Sequence, residues 1–105
     1  MLSLTVDQSK LADLCRRRHI RKLAVFGSVL HEDFRPDSDV DVLVEFEPGH
    51  TPGLAFFTLA EELSTLFGRT VDLSTPADLG PYLRDRVLRE AEVLYGDSRP
   101  AVSFR

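Results

Sequence analysis

The chain has 105 residues and a formal net charge of −4, with 43% hydrophobic and 29% charged residues. This length suits one domain, and the balance of apolar and charged residues excludes an intrinsically disordered chain. The negative net charge gives no overall attraction to nucleic-acid phosphates, so no direct nucleic-acid partner is expected. No apolar run approaches the ~20 residues that cross a bilayer, and the N-terminus lacks a secretory pattern, so a cytoplasmic protein without membrane contact is expected.

A first helix is predicted over residues 7–18, because Leu11, Leu14 and Cys15 recur at helical spacing. Cys15 is the only cysteine, which excludes an intramolecular disulfide and favours a small buried hydrophobe over a nucleophile. A basic run ends this helix and continues beyond it: Arg16, Arg17, Arg18, Arg21 and Lys22. Cations suit the end of a helix, so a solvated helix end is favoured over a nucleic-acid patch.

An apolar strand is predicted over residues 22–26 and ends at Gly27, and a short helix is predicted over residues 29–34. A proline predicts a turn over residues 35–38. The clearest strand covers residues 39–46, where alternation divides the side chains between two faces. One face carries Val40, Val42, Val44 and Phe46. The other face carries Asp39, Asp41, Leu43 and Glu45.

The second half of the chain begins with a predicted loop over residues 48–53, which proline and glycine punctuate. A helix is predicted over residues 54–67 with Gly68 as its C-terminal cap, and residues 71–73 predict a short third strand. Strands that alternate with helices indicate an α/β fold, here a small mixed sheet flanked by helices in a single domain.

A last helix is expected to begin at Pro81. Its predicted apolar stripe is Leu83, Val87, Ala91 and Leu94. Residues 93–95 also fit a brief strand, so this alternative stays open. The domain is expected to cover residues 1–96, followed by a flexible polar tail over residues 97–105.

Gly27 and Ser28 form the first part of a predicted phosphate site. A glycine lets a phosphate approach the backbone without a Cβ in the way, and N–H groups at the start of a following helix attract anions. The Ser28 hydroxyl suits a helix N-cap as well as a phosphate contact.

Asp39 and Asp41 form the second part, since a period of two places both carboxylates on one face of a strand. Like charges at this range repel, and Mg²⁺ relieves the repulsion because it prefers carboxylate and phosphate oxygens. Asp72 lies between two apolar residues of the third strand and points away from the core. If the two strands are neighbours, three carboxylates suffice to bridge two cations and to serve as a base for an attacking hydroxyl.

The segment GSVLHEDFRPDSDVDVLVEFEPG, followed by a later VDL, resembles the nucleotidyltransferase superfamily related to DNA polymerase β. The short length and the ending REAEVLYG resemble its minimal nucleotidyltransferase subfamily, the MntA-like antitoxins. The resemblance covers roughly residues 23–96. After Ser28 the sequence departs from the basic Gly-Ser-Arg-Ala-Arg-Gly form of the wider group, which leaves Arg35 as a substitute phosphate ligand.

The resemblance implies an enzyme that transfers AMP from ATP to a tyrosine of a HEPN-domain ribonuclease toxin, with two Mg²⁺ ions as cofactor. It implies that Gly27 and Ser28 hold the triphosphate, that Asp39 and Asp41 hold the metals, and that Asp72 completes the metal site and assists deprotonation of the tyrosine. A complex with the toxin is expected.

Two other functions stay open on the sequence. A binding antitoxin would neutralise its toxin by occlusion alone, but the intact aspartates argue against a disused site. A transferase acting on a small hydroxylated compound usually carries a second domain, and 105 residues leave no space for one. Elsewhere, His19 is interpreted as a helix-end residue and His50 as a solvent-facing loop residue.

Overall fold

A computed structural model describes residues 6–30, 39–50 and 52–96. The helices are α1 (Gln8–Arg17), α2 (Ala55–Phe67) and α3 (Pro81–Glu90). The strands are β1 (Ile20–Phe26), β2 (Val40–Phe46), β3 (Val71–Ser74) and β4 (Glu92–Tyr95), and short 3₁₀ turns cover Gly27–Leu30 and Pro76–Asp78. The strands form one sheet in the order β3-β2-β1-β4. The pair β2–β3 is parallel and the other two pairs are antiparallel, which confirms a small mixed sheet.

The first helix begins where Asp7 caps it, because the Asp7 carboxylate accepts a hydrogen bond of 3.1 Å from the Lys10 N–H. Its apolar side is buried as predicted: Leu11, Leu14 and Cys15. Burial raises the pKa of the Cys15 thiol to about 12, against a smaller opposite effect of Arg16. The thiol is therefore protonated at neutral pH, and Cys15 acts as a core hydrophobe.

One face of the sheet packs against α1 and α2 and forms the main hydrophobic core. The largest fully buried members are Leu11, Ile20, Leu23, Leu59 and Leu63, with the valines of β1 and β2 between them. Each fully buried side chain of this size contributes about 1.5–3 kcal/mol of burial free energy. This packing stabilises the pairing of β1 with β2, which brings Phe26 at the end of β1 opposite Asp41 near the start of β2.

Leu43 lies on the predicted face of β2, and its burial shows that this second face is not polar along its whole length. It lies on the face of Asp41, yet its side chain is only 2% exposed. Its register partner on β1, Ala24, is 1% exposed. The C-terminal part of α3 covers this region and contributes the buried Val87. The second face is therefore apolar under α3 and polar towards the start of β2.

The last described residues form a helix followed by a strand, so the predicted helix and the alternative strand both occur, one after the other. The helix α3 ends at Glu90, and Glu92–Tyr95 forms the edge strand beside β1. The predicted helical stripe was wrong at its two ends, because Leu94 belongs to the strand and Leu83 is 47% exposed. The predicted tail over residues 97–105 lies outside the described residues.

Between β1 and β2, the described residues are the 3₁₀ turn Gly27–Leu30, in which Val29 is fully buried, and Asp39. The rest of the helix predicted over residues 29–34 and the turn predicted over residues 35–38 lie outside the described part. No helix among the described residues is long and apolar enough to cross a membrane.

Candidate active site

Asp41 and Asp72 lie side by side on the parallel pair of strands β2 and β3, where they are register partners. The residues on either side of Asp72, Val71 and Leu73, pack in or against the main core. Because side chains alternate along a strand, both aspartates point to the opposite face of the sheet. The expectation that the strands of Asp41 and Asp72 are neighbours is confirmed.

The position of β3 depends on hydrogen bonds at its first residues. The Val40 N–H donates to the Thr70 carbonyl at 2.9 Å, which joins the start of β2 to the residue before β3. The Val71 N–H donates to the Ser64 hydroxyl at 3.0 Å, and that hydroxyl donates to the Ala60 carbonyl at 2.9 Å. Ser64 on α2 therefore ties β3 to the helix next to Asp72. The sequence does not reveal this role of Ser64, since a serine in a helix gives no signal of a bond to a strand.

Three carboxylates interact electrostatically at this edge of the sheet. The pKa of Asp41 is raised above its ordinary value, first by partial burial, then by the negative charge of Asp72, and then by that of Asp39. Asp39 and Asp72 are exposed, and Asp41 is half-buried between them. The three carboxylates do not form a group whose oxygens all lie within 4.8 Å of one another.

Gly27 follows β1 directly and touches the carboxylate of Asp41. Its neighbour Phe26 is the register partner of Asp41, and Gly27 has a φ of +78°, in the left-handed region. A Cβ on Gly27 would lie 2.2 Å from Oδ2 of Asp41 and 3.2 Å from its Cγ. Only glycine fits here without displacing Asp41, which is a more specific reason than the general phosphate access expected from the sequence.

The other two predicted phosphate ligands are Ser28 and Arg35, and the structure describes less of them than of Gly27. The backbone of Ser28 belongs to the 3₁₀ turn that follows β1, close to the start of β2. Arg35 lies outside the described residues. The contacts of both side chains with a nucleotide therefore stay predictions.

The donor set fits a magnesium ion. Carboxylate oxygens are the protein ligands that Mg²⁺ prefers, and it commonly binds through one or two carboxylates together with substrate phosphates. The pKa of Asp41 is raised first by partial burial and then by the charges of Asp72 and Asp39, so the ionised form of Asp41 is costly here. A divalent cation on this face would offset that cost.

Comparison with known proteins places this site within a recognised domain. Residues 9–94 match the model of a family described as the nucleotidyltransferase domain. The protein adenylyltransferase MntA of Thermococcus cleftensis is 40% identical over 95 residues, which cover 86% of this chain and 94% of that relative.

Two solved structures show the same fold. A candidate minimal nucleotidyltransferase is 42% identical with a TM-score of 0.67, and the match covers 80% of this chain and 85% of that one. A complex of a tri-AMPylated HEPN toxin from Shewanella oneidensis with its MNT antitoxin matches with a TM-score of 0.56 at 23% identity, covering 86% of this chain and 70% of that one. At this lower identity, the likeness concerns the fold.

Proposed function

The chain belongs to the nucleotidyltransferase domain family, and on this basis we propose that it is a protein adenylyltransferase that transfers AMP from ATP to a tyrosine of a HEPN-domain toxin. The Thermococcus cleftensis relative is a protein adenylyltransferase, and this chain spans 94% of its length. The Shewanella oneidensis toxin carries the AMP groups that such a reaction adds. The protein would act as the antitoxin of this pair, in the cytoplasm, where ATP is supplied.

The observation that carries the proposal is the pairing of Asp41 with Asp72 beside Gly27. The pairing places two carboxylates on one face, with Asp39 near enough to raise the pKa of Asp41 further. Gly27 brings the backbone close to the Asp41 carboxylate and begins a 3₁₀ turn, and the N–H groups of such a turn would bind phosphate. Carboxylates for cations and N–H groups for phosphates are thus adjacent.

The residues of the proposed site divide into metal ligands and phosphate ligands. Asp39 and Asp41 would hold the magnesium ions, with Asp72 completing the set. Bound Mg²⁺ supplies neutralisation of the phosphate charge and orientation of the α-phosphate. Gly27 and Ser28 would bind the triphosphate, with Arg35 as a further phosphate ligand.

The reaction requires an in-line attack of the tyrosine oxygen on the α-phosphorus of ATP. A bond forms between that oxygen and the α-phosphorus, and the bond from the α-phosphorus to the oxygen that bridges to the β-phosphate breaks. Pyrophosphate leaves with the electron pair, and the phenolic proton passes to a carboxylate. Asp72 is the proposed acceptor, because it is exposed on the face where the tyrosine would enter and lies next to Asp41.

A transfer assay tests this function directly. The purified protein is incubated with α-labelled ATP, Mg²⁺ and a candidate HEPN-domain toxin partner, and labelled protein is then separated and sequenced by mass spectrometry. Label is expected on a tyrosine of the partner. The double variant Asp39→Asn with Asp41→Asn is expected to transfer none, whereas Asp85→Asn, which removes an exposed carboxylate on α3, is expected to transfer normally.

The other outcomes distinguish the alternatives. Full neutralisation of the toxin by the double variant, with no label from the wild-type protein, would show an antitoxin that acts by binding alone. Label on a small hydroxylated compound but not on the partner would show a small-molecule transferase. Either result would overturn the proposed acceptor.

A further inference from the structure

A second group of metal-ligating side chains lies at the end of the sheet opposite to the aspartates. His19 directly precedes β1, Glu47 directly follows β2, and His50 lies in the loop after β2. The antiparallel register of β1 and β2 joins these positions, because Ile20 pairs with Phe46 at this end. The candidate active site lies at the other end of the same pair of strands.

The three side chains already converge. One ligand atom from each lies within 4.8 Å of those from the other two. Nδ1 of His19 is 3.7 Å from Oε1 of Glu47, and the imidazole rings of His19 and His50 are stacked with centroids 3.9 Å apart. Among the described residues, no other three histidine, cysteine or acidic side chains meet this criterion.

The backbone holds these residues in place independently of their side chains. The Glu47 N–H donates to the His19 carbonyl at 2.8 Å, and the His50 N–H donates to the Glu47 carbonyl at 3.0 Å. His19 has a φ of +57° just after α1, a position that most often carries glycine. A histidine in this left-handed conformation is more strained than a glycine would be, and it places an imidazole between α1 and β1.

We propose that His19, Glu47 and His50 bind a divalent transition-metal ion of the zinc type. Two imidazoles and one carboxylate are a common protein ligand set for Zn²⁺, with water completing a tetrahedral site. Bond lengths near 2.1 Å would place neighbouring ligand atoms about 3.4 Å apart, so the ligand atoms need to approach by roughly 1–1.5 Å. The two imidazole rings, which are stacked with an interplanar angle of 18°, also need to rotate so that each directs a nitrogen at the ion. Mg²⁺ discriminates against such nitrogen ligands, so this site and the aspartate site select different ions.

The neighbouring positive charges do not oppose a cation strongly. Arg17 is paired with Asp13 at 3.0 Å, and Arg18 is paired with Glu62 at 2.9 Å. Both guanidinium groups near the site thus have their own carboxylates. The charge of Glu47 is available to the metal, and its nearest cationic partner is His19 itself, which binds metal in the neutral form.

A bound ion would join the turn between α1 and β1 to the loop between β2 and α2. Metal binding to the folded state alone stabilises it by mass action. Zinc is therefore expected to raise the unfolding temperature of the wild-type protein. This effect is separate from nucleotide transfer and requires neither ATP nor a protein partner.

Zinc binding by the tag-free protein tests the site. Competition with a chromophoric chelator in excess Mg²⁺ is expected to give one zinc ion per chain. His50→Ala and His19→Gly are expected to abolish this binding, and Glu47→Gln is expected to weaken it at least about tenfold. His19→Gly keeps the fold because glycine suits the observed φ of +57°.

Two controls assign any binding to these residues. His31→Ala removes the remaining histidine and Asp41→Asn alters the aspartate site, and both are expected to retain full zinc binding and the rise in unfolding temperature. Failure of the wild-type protein to bind zinc, or equal binding by the folded His19→Gly and His50→Ala variants, would overturn the proposal. Binding lost only in Asp41→Asn would place the zinc at the aspartates and also overturn it.

Discussion

Asp41 and Asp72 are register partners across the parallel strands β2 and β3, so their carboxylates project from the same face of the sheet. Like charges directly opposite each other on neighbouring strands destabilise a sheet. Partial burial is the first cause of the raised pKa of Asp41, and the charge of Asp72 is the second. A magnesium ion between the two carboxylates would replace their mutual repulsion with attraction of both to the ion.

Asp41→Asn is expected to lower AMP transfer at least about 100-fold, since metal-ion stabilisation of the transition state is worth several kcal/mol. Without Mg²⁺, the same change is expected to stabilise the fold by up to about 1 kcal/mol because it removes a cross-strand repulsion. Transfer rates and urea unfolding in a chelating buffer measure the two effects. Asp85→Asn is the control, and equal activity of both variants would contradict the assigned role of Asp41.

The stability of the magnesium-free protein is expected to depend on pH through Asp41. The folded-state pKa lies above the ordinary value of 3.8, so between these two values the folded state binds more protons than the unfolded chain. Stability therefore falls as pH rises through this window, and the loss is complete above the folded pKa.

Urea unfolding across this pH range measures the effect as the difference between Asp41→Asn and the wild-type protein. The advantage of the variant is expected to grow from pH 3.8 upward and then to become constant. Saturating Mg²⁺ is expected to remove the advantage. A difference that does not change with pH would show that Asp41 titrates normally.

Gly27→Ala is expected to impair both stability and transfer. The new Cβ would lie 2.2 Å from Oδ2 of Asp41, at a residue with a φ of +78°. A cost of about 1–3 kcal/mol follows from the backbone conformation, and the displaced carboxylate adds a loss of activity.

The matched control is Gly68→Ala, at a φ of +71° with no atom within 4 Å of the added Cβ. It is expected to lower thermal stability through the backbone alone, with transfer unchanged at a temperature where both variants are folded. If both variants lose transfer equally, contact with Asp41 is not the reason for glycine at position 27.

Ser64→Ala is expected to destabilise the protein by about 1 kcal/mol, because it leaves the Val71 N–H without its hydrogen-bond acceptor. Thr65→Ala on the same helix is the control, since its exposed hydroxyl donates only to the carbonyl one turn earlier, at 3.1 Å. Chemical unfolding compares the two. Amide exchange at Val71 is expected to accelerate in Ser64→Ala only, and unchanged exchange there would argue against the bond between α2 and β3.

Local patterns predicted most of the elements, because hydrophobic period and turn residues act over short distances. The helical spacing of Leu11, Leu14 and Cys15 was confirmed by their burial, and Gly68 caps α2 in the left-handed conformation. The alternation put Leu43 on the face of Asp41, where it lies, but a strand pattern does not reveal that a later helix covers that part of the face. Leu94 stayed open between helix and strand because a short apolar run fits both equally well, and the structure has it in β4.

The sequence by itself determined the chemical parts of the site: a glycine that ends one strand, two aspartates of alternating register at the next, and a lone aspartate in a third. Only the tertiary structure decided that β2 and β3 pair in parallel with Asp41 opposite Asp72, and that Gly27 leaves room for that carboxylate. It also brought His19 to Glu47 and His50. Periodicity orients a side chain relative to its own strand, whereas strand order and register depend on packing between distant segments.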